Sequence, residues 1–336
     1  MRTHRQIIYV KAPDGSVEES CFRIEAATVP EPGDGQVLVR THYLSIDPYM
    51  RRQMSNARSS YAHPLKPGGV MIGRGTGVVI ESRNPDFAVG DAVQSEFGWR
   101  EMVVLDGKGL RKLAADIQPL SLSLGVLGQS GATAWVGLHD IAGLKGGETV
   151  LVSAAAGAVG SAVGQIARIA GCRALGIAGG PDKCRHVVED LGFDHCIDYK
   201  AGAIDEALRT VAPRGIDVYF DNVGGEILDA ALSILNERGR VAICGMISQY
   251  NARSPAERAG LRNVGAILDK CLTIRGFRIG QHLAQRDAAL ESLLGLFRSG
   301  QLRYRETVTS GLESAPGALI SMLKGGNVGK QVVRLV

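Results

Sequence analysis

The chain has 336 residues and a formal net charge of +4, from 38 Lys and Arg against 34 Asp and Glu. At 45% hydrophobic and 21% charged it is neither disordered nor fibrous, and its length leads to an expectation of two domains. The mild charge argues against a histone-like nucleic-acid binder, and 44 glycines without a Gly-X-Y period exclude collagen and place the glycines in turns or where backbone meets a ligand.

The first third reads as β-rich. Val37–Tyr43, Gly77–Glu81 and Met102–Leu105 are short strands separated by Gly and Pro turns such as Pro30–Gly35. From about residue 145 the pattern changes. Thr149–Val152 is an apolar strand, Val159–Ala170 has helical spacing, Ala174–Ala178 is a strand, and Pro181–Leu191 is a helix with Pro near its start. Then follow Cys196–Asp198 (strand), Ile204–Val211 (helix), Ile216–Phe220 (strand), Ile227–Leu235 (helix) and Arg240–Cys244 (strand). Such alternation predicts βαβ units and a parallel sheet. The polar segment 251–270 is a lid or a surface loop. Leu272–Phe277 reads as a sixth strand and Ala284–Arg298 as a helix, and the short mixed tail is expected to return to the β-rich part.

Six widely spaced cysteines with no C-x-x-C fit a reducing compartment. The charged stretch Met1–Val10 lacks an apolar signal core. The uncharged stretches Ile117–Leu138 and Thr149–Ala167 are interrupted by Gly, Ser and Gln, which disfavours a membrane helix. A cytoplasmic protein is expected.

The chemistry signal follows strand Val150–Val152. Set against G-x-G-x-x-G, the segment from Ser153 reads Ala155-x-Gly157-x-x-Gly160, with alanine in the first slot. A tight turn, a residue without Cβ beside the pyrophosphate and a helix N-terminus carrying Ala158, Val159 and Gly160 suit a dinucleotide. A plain strand-to-helix turn has the same spacing. The second strand ends in Gly179-Gly180-Pro181-Asp182-Lys183, with no acid for ribose hydroxyls and a lysine within one turn. That favours a 2′-phosphate, hence NADP over NAD. No Walker sequence is present, and Gly128-Gln129-Ser130-Gly131-Ala132 lacks the final Gly of a nucleophile elbow.

With Lys145–Val152, the Ala-Gly fingerprint and Phe220-Asp221-Asn222-Val223-Gly224-Gly225, nearly the whole chain resembles the medium-chain dehydrogenase/reductase superfamily. The resemblance implies a GroES-like catalytic domain (1–122, with 300–336 returning to it), a Rossmann doubly wound parallel-sheet domain (123–299), and the cofactor in the cleft between them. Many members hold a catalytic zinc through an early Cys and a Gly-His-Glu segment. Here the matching segment is Gly73-Arg74-Gly75, the early region Leu44–Arg51 has no Cys, and no structural-zinc lobe exists. No metal is expected.

Segments Tyr43–Arg51, Gly245–Asn251 and Gly326–Lys330 are similar to the zinc-free enone reductases, which include prostaglandin reductase, plant alkenal double-bond reductases and bacterial curcumin reductase. This implies NADPH-dependent reduction of a C=C bond conjugated to a carbonyl, and a homodimer. Tyr250 matches the family's tyrosine donor, and a phenol with a pKa of about 10 keeps its proton at neutral pH. The resemblance sets Tyr49, Arg74 and Met246 on the substrate side. Lys183 and Tyr199 match 2′-phosphate contacts, and Asn222 and Asn327 match contacts near the nicotinamide. Gly179 and Cys244 complete the cofactor set. Arg74 stands where the plant enzymes carry Tyr, which puts their substrate preference in doubt. A quinone oxidoreductase remains open, as does an NADP-retaining crystallin-like or RNA-binding protein.

Overall fold

The computed structural model describes residues 2–55 and 65–336. The chain divides into two compact units, residues 1–124 with 306–336, and residues 125–305.

In the central unit the alternation of strands and helices folds as a six-stranded sheet in which every pairing is parallel. Its spatial order is His195–Asp198, Arg173–Ala178, Thr149–Ser153, Ile216–Asp221, Leu235–Ile243 and Thr273–Gly276. Numbered along the chain this is 3-2-1-4-5-6, the Rossmann order, with the direction of winding reversing between Thr149–Ser153 and Ile216–Asp221. These central strands are apolar on both faces (Val150, Leu151, Val152, Val218, Tyr219 and Phe220 are all fully buried) because helices cover both sides.

Two elements depart from the sequence reading. The helix expected over 181–191 is α-helical only at Pro181–Arg185 and continues as a wider π turn, His186–Asp190, across which His186 Nδ1 meets Asp190 Oδ2 at 2.6 Å. The helix expected to end at Leu235 runs from Gly225 to Ile234, and Leu235 already begins the next strand. That strand is irregular: Arg238 has φ +58° and the register shifts beside Ile216 and Val218.

The other unit is built on a mixed sheet in the order Glu306–Ser310, Lys330–Arg334, Gln36–Ser45, Arg74–Ser82, Ala92–Glu96 and Arg111–Lys112, with Met102–Asp106 also paired to Gln36–Ser45. All its pairings are antiparallel except Glu306–Ser310 with Lys330–Arg334. A separate antiparallel pair, Thr3–Tyr9 with Phe22–Thr28, went unread in the sequence. Among the described residues, no helix is long and apolar enough to cross a membrane.

Candidate active site

Three groups of residues gather at the C-terminal ends of the central parallel strands, where ligands bind in this architecture. The first is the turn after Thr149–Ser153. Ala154 has φ +51°, the Ala155 amide donates to Ile177 O at 3.0 Å, and the Gly157 amide donates to Ala154 O at 2.9 Å before helix Ala158–Ile169 starts. Ala155 and Gly160 are buried, whereas Gly157, Ala158 and Val159 are half-buried. Ala155 and Gly160 therefore shape the turn, and the helix start presents its first amides, which have no intrahelical acceptor. A Cβ on Gly160 would collide with the Ala154 carbonyl oxygen. The close packing of helix on strand thus needs glycine there.

The second group lies at the end of Arg173–Ala178. Asp198 accepts the amides of Gly180 at 2.8 Å and Lys200 at 3.0 Å, which holds its carboxyl below the usual range. This folds the two strand ends together. The Tyr199 ring then lies 2.8 Å from where a Cβ on Gly179 would be, and the Lys200 stem 3.0 Å from it. Burial and the charge of Lys200 lower the Lys183 pKa. The structure thus brings Gly179, Lys183 and Tyr199 together and adds Lys200, whose ammonium stands 6.0 Å from the Tyr199 ring centroid. Tyr199 was reached only through the family resemblance, and Lys200 beside it was missed because its approach to Lys183 depends on the pairing of the second and third strands. An anion with an adjoining planar group fits this corner.

The third group is a polar knot at the switch point. Asp221 is fully buried and accepts Ser153 Oγ at 3.1 Å, Tyr219 Oη at 2.8 Å, and the amides of Val223 at 3.0 Å and Gly224 at 2.9 Å. Burial raises its pKa against the pull of these donors. Asn222 donates its amide to Ser153 Oγ at 2.9 Å and its Nδ2 to Ser153 O at 2.8 Å, so its side chain is fixed across the two strands. The amides of Cys244 and Gly245 donate to Asp221 O at 2.9 and 3.1 Å. Burial, with the Asp221 charge, pushes the Cys244 thiol up to about 12. The thiol of Cys244 is thereby kept protonated. Next along the chain, the Met246 amide donates to Tyr250 Oη at 3.3 Å. Met246 is exposed and packs beside Gly224.

Segment 251–270 is pinned at its far end. The buried Asp229 carboxylate accepts the amides of Arg262 at 2.6 Å and Asn263 at 2.8 Å, and Lys270 Nζ donates to Ser233 O and Leu235 O at 2.8 and 2.7 Å.

The remaining predicted residues belong to the other unit. Tyr49 opens helix Tyr49–Gln53 and packs against a core that includes Leu44, Met50 and Met54. Arg74 pairs with Glu96 on the neighbouring strand, Nε to Oε1 at 2.8 Å, in direct cross-strand register. The flanking Gly73 and Gly75 leave room for the rings of Trp99 and Phe97. Asn327 Nδ2 donates to Gly329 O at 2.8 Å. Among the described residues, no three His, Cys, Asp or Glu side chains are grouped to hold a metal ion.

A Rossmann sheet with a glycine turn at its switch point and a basic corner at its second strand is a frame suited to a dinucleotide; the relatives make the chain an NADP-dependent oxidoreductase, and it belongs to the medium-chain dehydrogenase/reductase family. A family model described as the N-terminal domain of oxidoreductase matches residues 5–113, and one described as zinc-binding dehydrogenase matches residues 158–295. The chain is 43% identical to the NADPH-dependent curcumin reductase of Escherichia coli (strain K12), over 99% of this chain and 97% of that one. It is 43% identical to prostaglandin reductase 1 of Rattus norvegicus over 96% of both chains, and 40% identical to the NADP(+)-dependent 2-alkenal reductase of Nicotiana tabacum over 98% and 97%. The structure of CurA from Vibrio vulnificus in complex with NADPH superposes with a TM-score of 0.94 at 40% identity, covering 99% of each chain. The NADPH complex of Escherichia coli quinone oxidoreductase, at 19% identity and a TM-score of 0.80, shares the fold.

Proposed function

We propose that the protein reduces the C=C bond of α,β-unsaturated aldehydes or ketones with NADPH. The observation that carries this reading is Tyr250, a phenol fastened at the C-terminal end of the parallel sheet, in a chain 40–43% identical over nearly its full length to reductases named for curcumin, prostaglandin and alkenal substrates.

When bound, NADPH supplies the hydride that the β-carbon of the enone accepts. Charge then develops on the substrate carbonyl oxygen, and the Tyr250 hydroxyl donates a hydrogen bond to it. A neutral O–H placed there lowers the barrier without a metal. Tyr250 or water gives the α-carbon its proton. Lys183, Lys200 and Tyr199 hold the 2′-phosphate, and the amides of Ala158 and Val159 face the pyrophosphate. Asn222, fixed by Ser153, and Asn327 orient the nicotinamide end, with Cys244 and Gly179 lining the cofactor. Tyr49, Arg74 and Met246 line the substrate side. In this reading the enzyme works without zinc, because Arg74 occupies the family's histidine position and makes its ion pair with Glu96.

Two further assignments belong to the same reading. Six widely spaced cysteines with no C-x-x-C fit a reducing, cytoplasmic setting. A homodimer belongs to this reading on the family resemblance alone.

The test is NADPH oxidation against a panel of enals, enones and quinones with product identification. Saturated aldehyde or ketone product is expected. Turnover of quinones alone would replace this reading with quinone reduction, and NADPH binding with no turnover of any enone would end it.

A further inference from the structure

Lys330 is a buried cation that the chemistry above does not use. Its side chain is 5% exposed, and its Nζ donates to Ile46 O at 2.7 Å and to Asp47 Oδ1 at 2.9 Å. The other oxygen of Asp47 accepts the hydroxyl of Ser45. Glu306, the register partner of Lys330 on the neighbouring strand, accepts Ser121 Oγ at 2.9 Å and is influenced by the Lys330 charge. The ammonium therefore pairs with one carboxylate, Asp47, and acts through space on a second, Glu306. The Ile46 amide also donates to Gln331 O at 3.1 Å.

What Lys330 fastens is specific. Directly after Asp47 come Pro48 and the helix that opens with Tyr49, whose first turn is closed by Met50 N–H to Asp47 O at 3.2 Å. Three residues before Lys330 is Asn327, in a turn strapped to Thr307: Thr307 Oγ1 donates to Val328 O at 2.8 Å and accepts the Val328 amide at 3.0 Å. One ammonium thus joins the turn that presents Tyr49 to the turn that presents Asn327, across nearly the whole length of the chain. A buried ammonium is a poor source of net stability, since its desolvation roughly cancels its pairing. An apolar side chain of similar length would fill the same space. The geometry is better explained by the orientation the pair imposes.

We infer that Lys330, through Asp47 and the Ile46 carbonyl, is a positioning residue that sets Tyr49 and Asn327 for the reaction. The inference rests on the enone-reductase reading for its kinetic consequence but not for its structural one. The experiment compares Lys330→Met and Asp47→Asn with wild type in three measurements: thermal unfolding, amide hydrogen exchange, and steady-state kinetics with an enal alongside NADPH affinity by fluorescence titration. Faster exchange confined to residues 46–51 and 327–332 is expected. A fall in kcat/KM for the enal of about 10- to 100-fold is also expected, the scale of a displacement of about 1 Å near the chemistry. NADPH affinity should stay within about twofold of wild type, because the central unit supplies most of its contacts. Asn at 47 keeps an acceptor and should give a smaller effect in the same direction. If Lys330→Met does not fold, Asp47→Asn carries the same three readouts. Unchanged exchange at 46–51 in a folded variant overturns the inference, as does raised exchange with unchanged enal kinetics. A wild type that reduces no enal would instead overturn the proposed function, and the exchange measurement would still decide the fastening.

Discussion

The Tyr250 hydroxyl accepts the backbone N–H of Met246 at 3.3 Å, four residues back along the same turn. A phenol oxygen that accepts in this way still carries a proton to give, and the turn fixes where the oxygen stands. Replacing Tyr250 by Phe keeps the ring and removes the donor, together with the acceptor of the Met246 amide. Loss of one such donor lowers kcat by about 10²- to 10³-fold, with NADPH affinity unchanged. Steady-state kinetics on an enal checks this, and wild-type turnover would remove Tyr250 from the mechanism.

The corner formed by Lys183, Tyr199 and Lys200 predicts cofactor choice. Removing either ammonium, as Lys183→Met or Lys200→Met, should weaken NADPH by about tenfold, the equivalent of one charge-assisted contact. NADH affinity should change little. Fluorescence titration with both cofactors separates the cases; equal losses for NADH would mean that the lysines do not read the 2′-phosphate.

The same corner carries a pH dependence. Burial first, and Lys200 second, lower the Lys183 pKa from the ordinary 10.5. The phosphate binds the protonated amine, so NADPH affinity should fall as pH rises through this lowered value, earlier than an ordinary lysine would cause. NADH binding should stay flat over that range. In Lys183→Met the alkaline loss should disappear, which titrations on the alkaline side, below the ordinary 10.5, would register.

Asp221 tests the switch-point knot. Asp221→Ala strands the hydroxyls of Ser153 and Tyr219 and the amides of Val223 and Gly224. Leaving several buried donors without an acceptor costs about 3–5 kcal/mol. Denaturant unfolding should show a lower midpoint with an unchanged slope. A loss under about 1 kcal/mol would mean that water replaces the carboxylate.

Much of the central unit was legible in the sequence because each strand and helix there is a local pattern. Apolar runs such as Val150–Val152 mark strands buried on both faces, and Gly157 and Gly160 mark a turn with little steric choice. The site was legible where it rests on short segments. Lys200 was not, because its approach to Lys183 depends on which strands lie side by side. The Ser153–Asp221 contact, 68 residues apart, likewise depends on the reversal of strand order. The register shift around Arg238 and the π turn after Arg185 were invisible because hydrophobic spacing does not encode extra backbone residues. The strand pair Thr3–Tyr9 with Phe22–Thr28 escaped because its second strand is mostly half-buried or exposed and lacks an apolar run.

The division of the chain has a consequence during synthesis. Residues 125–305 are continuous, so their sheet can close as soon as they leave the ribosome. The first 124 residues emerge earlier but lack the strands Glu306–Ser310 and Lys330–Arg334. At about 5–20 residues per second, their sheet waits roughly 10–40 s with the flank of Tyr43–Ser45 unpaired. That flank is an open strand edge on which a chaperone or a wrong partner can pair.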